Sequence, residues 1–245
     1  MAIQQGSIRE RVIEYPIGDA IYQGLLVWDE RIAGPRPGVL VAHAWGGRSA
    51  FEDDKARWLA SLGYAGFALD MYGKGIRGAT VEENTALMTP LVDNRDELQA
   101  RIGAALSTLR EQDEVDARRC AAMGFCFGGL CVLDLARIGA SLAGVVSVHG
   151  LFNPPGNTRG TAIQARVLCL HGYDDPMVEP PAVLELAAEL SAAGADWQLH
   201  AYGGTRHAFT NPQANDAQMG TVYSATADRR AHLAMRNFFA ELFDG

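Results

Sequence analysis

The sequence predicts a doubly wound α/β fold, a mostly parallel sheet with helices on both faces and an antiparallel hairpin at the N-terminal end. Three observations predict it. From residue 39 onward, short apolar runs alternate with stretches of helical spacing, the pattern of parallel strands covered on both sides. Residues 8–28 read instead as two strand-like segments, R-V-I-E-Y and A-I-Y-Q-G-L-L-V-W, around a turn at Pro16-Ile17-Gly18-Asp19. Glycine contributes 27 of 245 residues, as a fold with many tight strand-to-helix turns requires.

Residues 34–38 (G-P-R-P-G) read as a linker-like loop. The strand-like runs that follow are 39–42, 64–69, 120–125, 142–148, 167–170 and 197–202. A helix is expected over 51–62, opened by the capping-box pattern Ser49-x-x-Glu52 and stopped at Gly63. Thr80-x-x-Glu83 is a second such opening, and residues 91–112 carry Leu, Ile and Ala at helical spacing. Further helices are expected over 128–138, 181–193 and 228–243. With no repeat or low-complexity tract, residues 1–245 read as a single α/β domain.

Apolar residues make up 48% and charged residues 20%, enough for a substantial core. A formal net charge of −8 argues against nucleic acid as a partner, because no basic stripe exists to release its counterions. The first ten residues are polar and lack the apolar centre of a signal peptide. No apolar run approaches the roughly 20 residues that span a bilayer. The expected setting is cytoplasmic, with no membrane partner, as a monomer or small homo-oligomer. The four cysteines, at 120, 126, 131 and 169, form no C-x-x-C pair, so no metal site is expected and each is an apolar filler or a reactive thiol.

Gly124-Phe125-Cys126-Phe127-Gly128-Gly129 follows an apolar strand and opens a helix. This is the G-x-nucleophile-x-G elbow with cysteine as nucleophile. The turn is tight enough that flanking side chains would clash, and the helix N-terminus favours a thiolate. A strand and loop at Leu168-Cys169-Leu170-His171-Gly172 precede Tyr173-Asp174-Asp175-Pro176. The G-x-x-D-P-x-V spacing selects Asp175 as the orienting acid, with Asp174 as the fallback; the bland role for Asp175 is to cap the helix near Pro180. Tyr202-Gly203-Gly204-Thr205-Arg206-His207 then places a histidine in a glycine-rich loop after another strand. Nucleophile, acid and base follow each other in the order of an α/β-hydrolase catalytic triad.

The remaining residues suggest lesser roles. Two backbone amides are needed for an oxyanion hole: one from Phe127, after the nucleophile, and one from Trp45 in His43-Ala44-Trp45-Gly46-Gly47. His43 and His171 end strands and are expected to hydrogen-bond locally; His149 sits at a strand end and is a candidate to face the pocket. Cys120, Cys131 and Cys169 read as core packing. Arg48, Lys74 and Arg77 lie in strand-end loops, available to an anionic substrate or to solvent.

With the cysteine elbow, Asp175 and His207-Ala208-Phe209 in view, the chain resembles the dienelactone hydrolase family. The resemblance runs from about Val12 to Phe243 and includes A-L-D-M-Y at 68–72 and His207-Ala208-Phe209-Thr210-Asn211-Pro212. It implies an α/β-hydrolase fold and carboxymethylenebutenolidase-like hydrolysis of esters or lactones without a metal or organic cofactor. Two departures stand out. Ala44 occupies the position of a glutamate that helps deprotonate the cysteine. Asn211 stands where a substrate-binding arginine would fall, and no arginine occurs between Gly78 and Asn94, where a second would sit. A neutral, apolar ester or lactone is therefore expected rather than dienelactone, with Trp45, Phe127, Phe152 and Phe209 as candidate walls and His149 and Asn211 as further substrate contacts. A thiolate nucleophile favours good leaving groups and admits activated phosphotriesters. The rival readings are a non-catalytic ligand-binding protein on this fold and a redox-sensing role for Cys126.

Overall fold

The computed structural model describes residues 7–244. The first six residues of the polar stretch read above as lacking a signal sequence lie outside the described residues. The chain divides into two compact units, Met1–Ala122 and Met123–Gly245, with the boundary inside one strand, β5 (Val115–Phe125).

In the first unit, β1 (Ile8–Ile17) and β2 (Ala20–Asp29) form the expected antiparallel hairpin. Ile17 faces Ala20, so the turn is only Gly18-Asp19, with Gly18 at φ 57°. Two-residue hairpins favour positive φ there. Pro16 stays in the ladder opposite Ile21, which is possible because β1 is an edge strand. β2 pairs antiparallel with β4 (Ala65–Ala68), which pairs parallel with β3 (Arg36–Ala42), giving the order β1-β2-β4-β3-β5. Helix α1 (Ala50–Ser61) has the capping box read from the sequence. It packs closely on β4: a Cβ at Gly66 would lie 2.6 Å from the Ala56 carbonyl oxygen.

Two expectations are corrected here. Residues 34–38 are no linker, since β3 begins at Arg36, whose buried guanidinium donates to the carbonyls of Asp29, Ile32 and Gly34 and ties the loop down. Residues 91–112 are not one helix either. α2 (Val81–Asp93) ends and α3 (Arg95–Arg110) begins at Asn94, which has non-helical φ −116° and ψ 85°. Asn94 serves both ends: its N–H donates to Pro90 O, and its Oδ1 accepts from Glu97 N–H. Asparagine competes well for local backbone groups, so it divides a continuous apolar periodicity.

In the second unit the order is β5-β6-β7-β8, with β6 (Gly144–Val148), β7 (Arg166–Gly172) and β8 (Trp197–Tyr202) pairing in parallel. Through β5 the strands make one eight-stranded, mostly parallel sheet. Helices α4 (Phe127–Arg137), α5 (Pro180–Ala192) and α6 (Ala225–Phe243) begin one, one and three residues before their expected starts. The small antiparallel pair β9 (Asn215–Asp216) and β10 (Thr221–Val222) is an addition the apolar pattern does not signal. α4 is buried along its whole length, Arg137 included. That guanidinium meets Asp134 at 3.2 Å and Glu189 at 2.8 Å, and donates to the Phe152 and Asn153 carbonyls. Such partners offset the cost of burying a guanidinium. No helix among the described residues is long and apolar enough to cross a membrane.

Candidate active site

β5 ends at Phe125 and α4 begins at Phe127, so Cys126 alone makes the turn. Its φ is 55° and ψ −115°, a conformation that costs a non-glycine residue about 1–3 kcal/mol. The surrounding backbone holds it there. Cys126 N–H donates to Val148 O at 3.1 Å, and Cys126 O accepts from Gly129 N–H at 2.9 Å. A Cβ at Gly124 would fall 2.1 Å from Gly128 O, and one at Gly129 would fall 2.6 Å from Gly150 Cα. Cys126 is half-buried, whereas Cys120, Cys131 and Cys169 are buried in the core, as expected. Burial pushes the Cys169 thiol up to about 12, so it is inert.

Asp175 follows β7 and is buried, whereas Asp174, the alternative acid, is exposed. Asp175 Oδ1 accepts from Met177 N–H at 2.8 Å, and Oδ2 lies 2.6 Å from His207 Nδ1. Asp175 does not cap α5, whose N-cap is Glu179 with no side-chain bond. His207 is held by its backbone, N–H to Gly220 O and carbonyl to Val222 N–H, both 3.0 Å. Burial opposes a charge on its imidazole. The interaction with Cys126 and the hydrogen bond to Asp175 outweigh that and raise its pKa to about 10. Asp175 and His207 thus meet directly, in the same unit that carries the Cys126 elbow, and the surroundings of the imidazole favour its cationic form.

The loops carrying acid and base are laced together. Tyr173 N–H donates to Tyr202 O and Asp174 N–H to Thr205 O, each at 3.0 Å. Pro176 packs on Gly220 so closely that a Cβ there would lie 2.2 Å from Pro176 Cγ.

The other expected residues are placed as follows. His149 is buried, and its Nε2 lies 2.8 Å from Thr210 Oγ1. Phe209 is buried between His149 and Tyr202, with ring centroids 5.2 and 5.5 Å away. Phe127 is buried at the first position of α4. Asn211 is half-buried, and its Oδ1 accepts from Gln213 N–H in a local turn. Phe152 lies tilted against His171, ring centroids 5.5 Å apart, and lines a cavity of about 830 Å³ with Met177, Val178 and Leu186; Cys126 and His207 do not line it. His171 corrects an expectation. It is fully buried, and neither ring nitrogen finds a hydrogen-bond partner among the described residues. Burial lowers its pKa and keeps it neutral, so the ring packs under Phe152 as an apolar plate.

In the first unit, His43 does bond locally: Nδ1–H donates to Ala44 O at 2.6 Å, and Nε2 accepts from Met71 N–H at 3.1 Å. Burial lowers its pKa, which suits this neutral tautomer. Trp45 O accepts from the Tyr72 hydroxyl. Buried Glu52 accepts from the Ser49 N–H and hydroxyl, with Ala44 N–H at 3.4 Å. Asp70, inside A-L-D-M-Y, accepts from the N–H groups of Gln23, Tyr72 and Gly73, a structural role for that motif. Arg48 and Lys74 are engaged by Asp53 and Glu14 at 2.7 Å each.

Sequence reasoning missed Thr210, Gly150 and Gly220. Only Thr210 had a signal, its place in the quoted H-A-F-T-N-P stretch.

A sheet of this topology, whose strand-to-helix elbow raises a thiol and whose next strand ends supply a carboxylate and a histidine, is an α/β-hydrolase fold. Within that class the chain belongs to the dienelactone hydrolase family, whose pattern it matches over residues 23–243. Among solved structures, one titled m3DLH is 39% identical with a TM-score of 0.91, covering 97% of this chain and all of its own. A dienelactone hydrolase-like promiscuous phosphotriesterase, P91 from metagenomic libraries, is 37% identical with the same TM-score and coverage. A protein of Aquifex aeolicus (strain VF5), provisionally named a carboxymethylenebutenolidase, is 28% identical over 76% of this chain and 83% of its own. Family and relatives support hydrolase chemistry.

Proposed function

We propose that the protein hydrolyses carboxylic esters or lactones with good leaving groups through a Cys126–His207–Asp175 triad. The observation that carries this reading is the buried His207, whose Nδ1 lies 2.6 Å from Asp175 Oδ2 in the unit that also carries the Cys126 elbow. The Cys126 thiolate attacks the carbonyl carbon, and the oxyanion is received by the amide of Phe127. The sequence pattern alone assigns the second amide to Trp45. The tetrahedral intermediate collapses to a thioester as His207 gives its proton to the departing oxygen. His207 then takes a proton from water, the hydroxide attacks the thioester, and the thiolate leaves with the acid released. Asp175 holds the imidazole in the required tautomer throughout.

A thiolate is itself readily expelled from the intermediate, so enol lactones and aryl esters are favoured over amides. Asn211 in place of an arginine, and the pairing of Arg48 and Lys74 with carboxylates, favour a neutral substrate. The P91 relative extends the proposal to activated phosphotriesters as a side activity. Stopped-flow hydrolysis of p-nitrophenyl acetate and butyrate by wild type and Cys126→Ala tests it. Turnover with a burst that vanishes in the variant is the expected result; equal activity in both, or in neither, overturns it.

A further inference from the structure

Only three non-glycine residues among those described have positive φ: Cys126 at 55°, Ala208 at 55° and His149 at 38°. The first is the proposed nucleophile and the second follows the proposed base. Backbone strain of this kind persists where the surroundings enforce it, and it clusters at functional sites. The third residue therefore calls for an account.

His149 follows β6, whose last carbonyl, on Val148, receives the Cys126 N–H. Its own N–H donates to Leu170 O at 2.8 Å. It thus sits between the elbow and β7. Its side chain reaches the base loop, with Nε2 2.8 Å from the hydroxyl of Thr210, three residues beyond His207, and both residues are buried. The His149 ring lies 5.2 Å from the His207 ring at an interplanar angle of 62°, edge to face, and Phe209 packs on it at 5.2 Å. An apolar filler would supply the packing without the hydrogen bond, and glycine would supply the backbone without strain.

We propose that His149 is a positioning residue: bound to Thr210, it holds its ring edge against His207 and keeps that imidazole turned between Asp175 and Cys126. This rests on the triad reading above. A rotation of the His207 ring would break the 2.6 Å bond to Asp175, and the His149 ring packs against it 5.2 Å away. The titratable groups that interact with His207 are Asp175, Cys126, His171 and His149. Of these, His149 is the one tied to the base loop beyond His207.

The test measures kcat, KM and the pH profile of Cys126 alkylation by iodoacetamide in His149→Phe, Thr210→Val, the double variant, Thr210→Ser and His207→Ala. Misplacing a catalytic group by about 1 Å costs up to roughly 100-fold. His149→Phe and Thr210→Val are each expected to lower kcat about 10- to 100-fold, to change KM little and to move the alkylation midpoint upward. The double variant should be no worse than either single change, and Thr210→Ser should retain wild-type behaviour. Folded Thr210→Val with wild-type kcat and alkylation profile, or additive losses in the double variant, overturns the proposal. If His149→Phe does not fold, the Thr210→Val and Thr210→Ser pair decides alone. A wild-type alkylation profile in His207→Ala would overturn the triad reading itself. A shifted profile there with an unshifted one in Thr210→Val overturns only the role of His149.

Discussion

His207 Nδ1 and Asp175 Oδ2 are 2.6 Å apart, and the two residues are 1% and 2% exposed. Water cannot compete for either group, so the carboxylate fixes the tautomer of the ring. Asp175→Asn keeps the shape and removes the charge. Its kcat for p-nitrophenyl acetate is expected to fall about 10³- to 10⁴-fold with the circular dichroism spectrum unchanged. A loss of less than tenfold would remove Asp175 from the mechanism.

The raised pKa of His207 sets a pH dependence of stability. The folded pKa of His207, about 10, lies above its ordinary value of 6.5. The stabilisation it brings is therefore complete below about 6.5 and is lost as pH rises through about 10. The Tm difference between wild type and His207→Gln should be largest near pH 6 and shrink steadily toward pH 10. A difference that grows with pH would contradict the charged pair.

Gly124→Ala places a methyl group 2.1 Å from Gly128 O, a backbone atom that cannot swing aside. The elbow must open, at a cost of about 2–4 kcal/mol and more than tenfold in kcat. Gly103, in α3, has open space around its Cβ position. Gly103→Ala should stabilise by about 0.5–1 kcal/mol and leave activity unchanged. Urea unfolding of the two variants side by side reads both effects.

Arg137→Leu leaves the Asp134 carboxylate, fully buried, without its cationic partner, and leaves Glu189 without the second. A loss of about 3–5 kcal/mol is expected by denaturant titration. Arg137→Leu combined with Asp134→Leu should recover much of it, because no buried charge then remains at 134.

The parts of the site legible in the sequence are those marked by local punctuation. Cys126 is bracketed by glycines 124 and 128, Asp175 by Gly172 and Pro176, and His207 by the Gly203-Gly204 pair. Each sits where an apolar run stops. The hairpin and the last strand were equally legible, since alternation and turn residues are local signals. Asn94 was not, because an asparagine inside an apolar periodicity looks like any polar helix position until its side chain is seen to cap Glu97. Nor was the link from His149 to Thr210, which joins residues 61 positions apart with no spacing rule between them. His171 misled for a similar reason: a histidine ending a strand usually finds a partner, and only the packing of Phe152 over it reveals a ring kept neutral and apolar.

The contact of Pro176 with Gly220 bears on how such a site can be inherited or exchanged. Gly220 also receives the backbone N–H of His207, so one small residue fixes the base and seats the loop of the acid. A relative with any side chain at that position must carry a different residue or path at 176 to match it. Grafting residues 173–178 from a homologue without residues 205–221 would bring in an acid shaped for another base. The two loops therefore pack as one unit, although helix α5 and strand β8 lie between them in the chain.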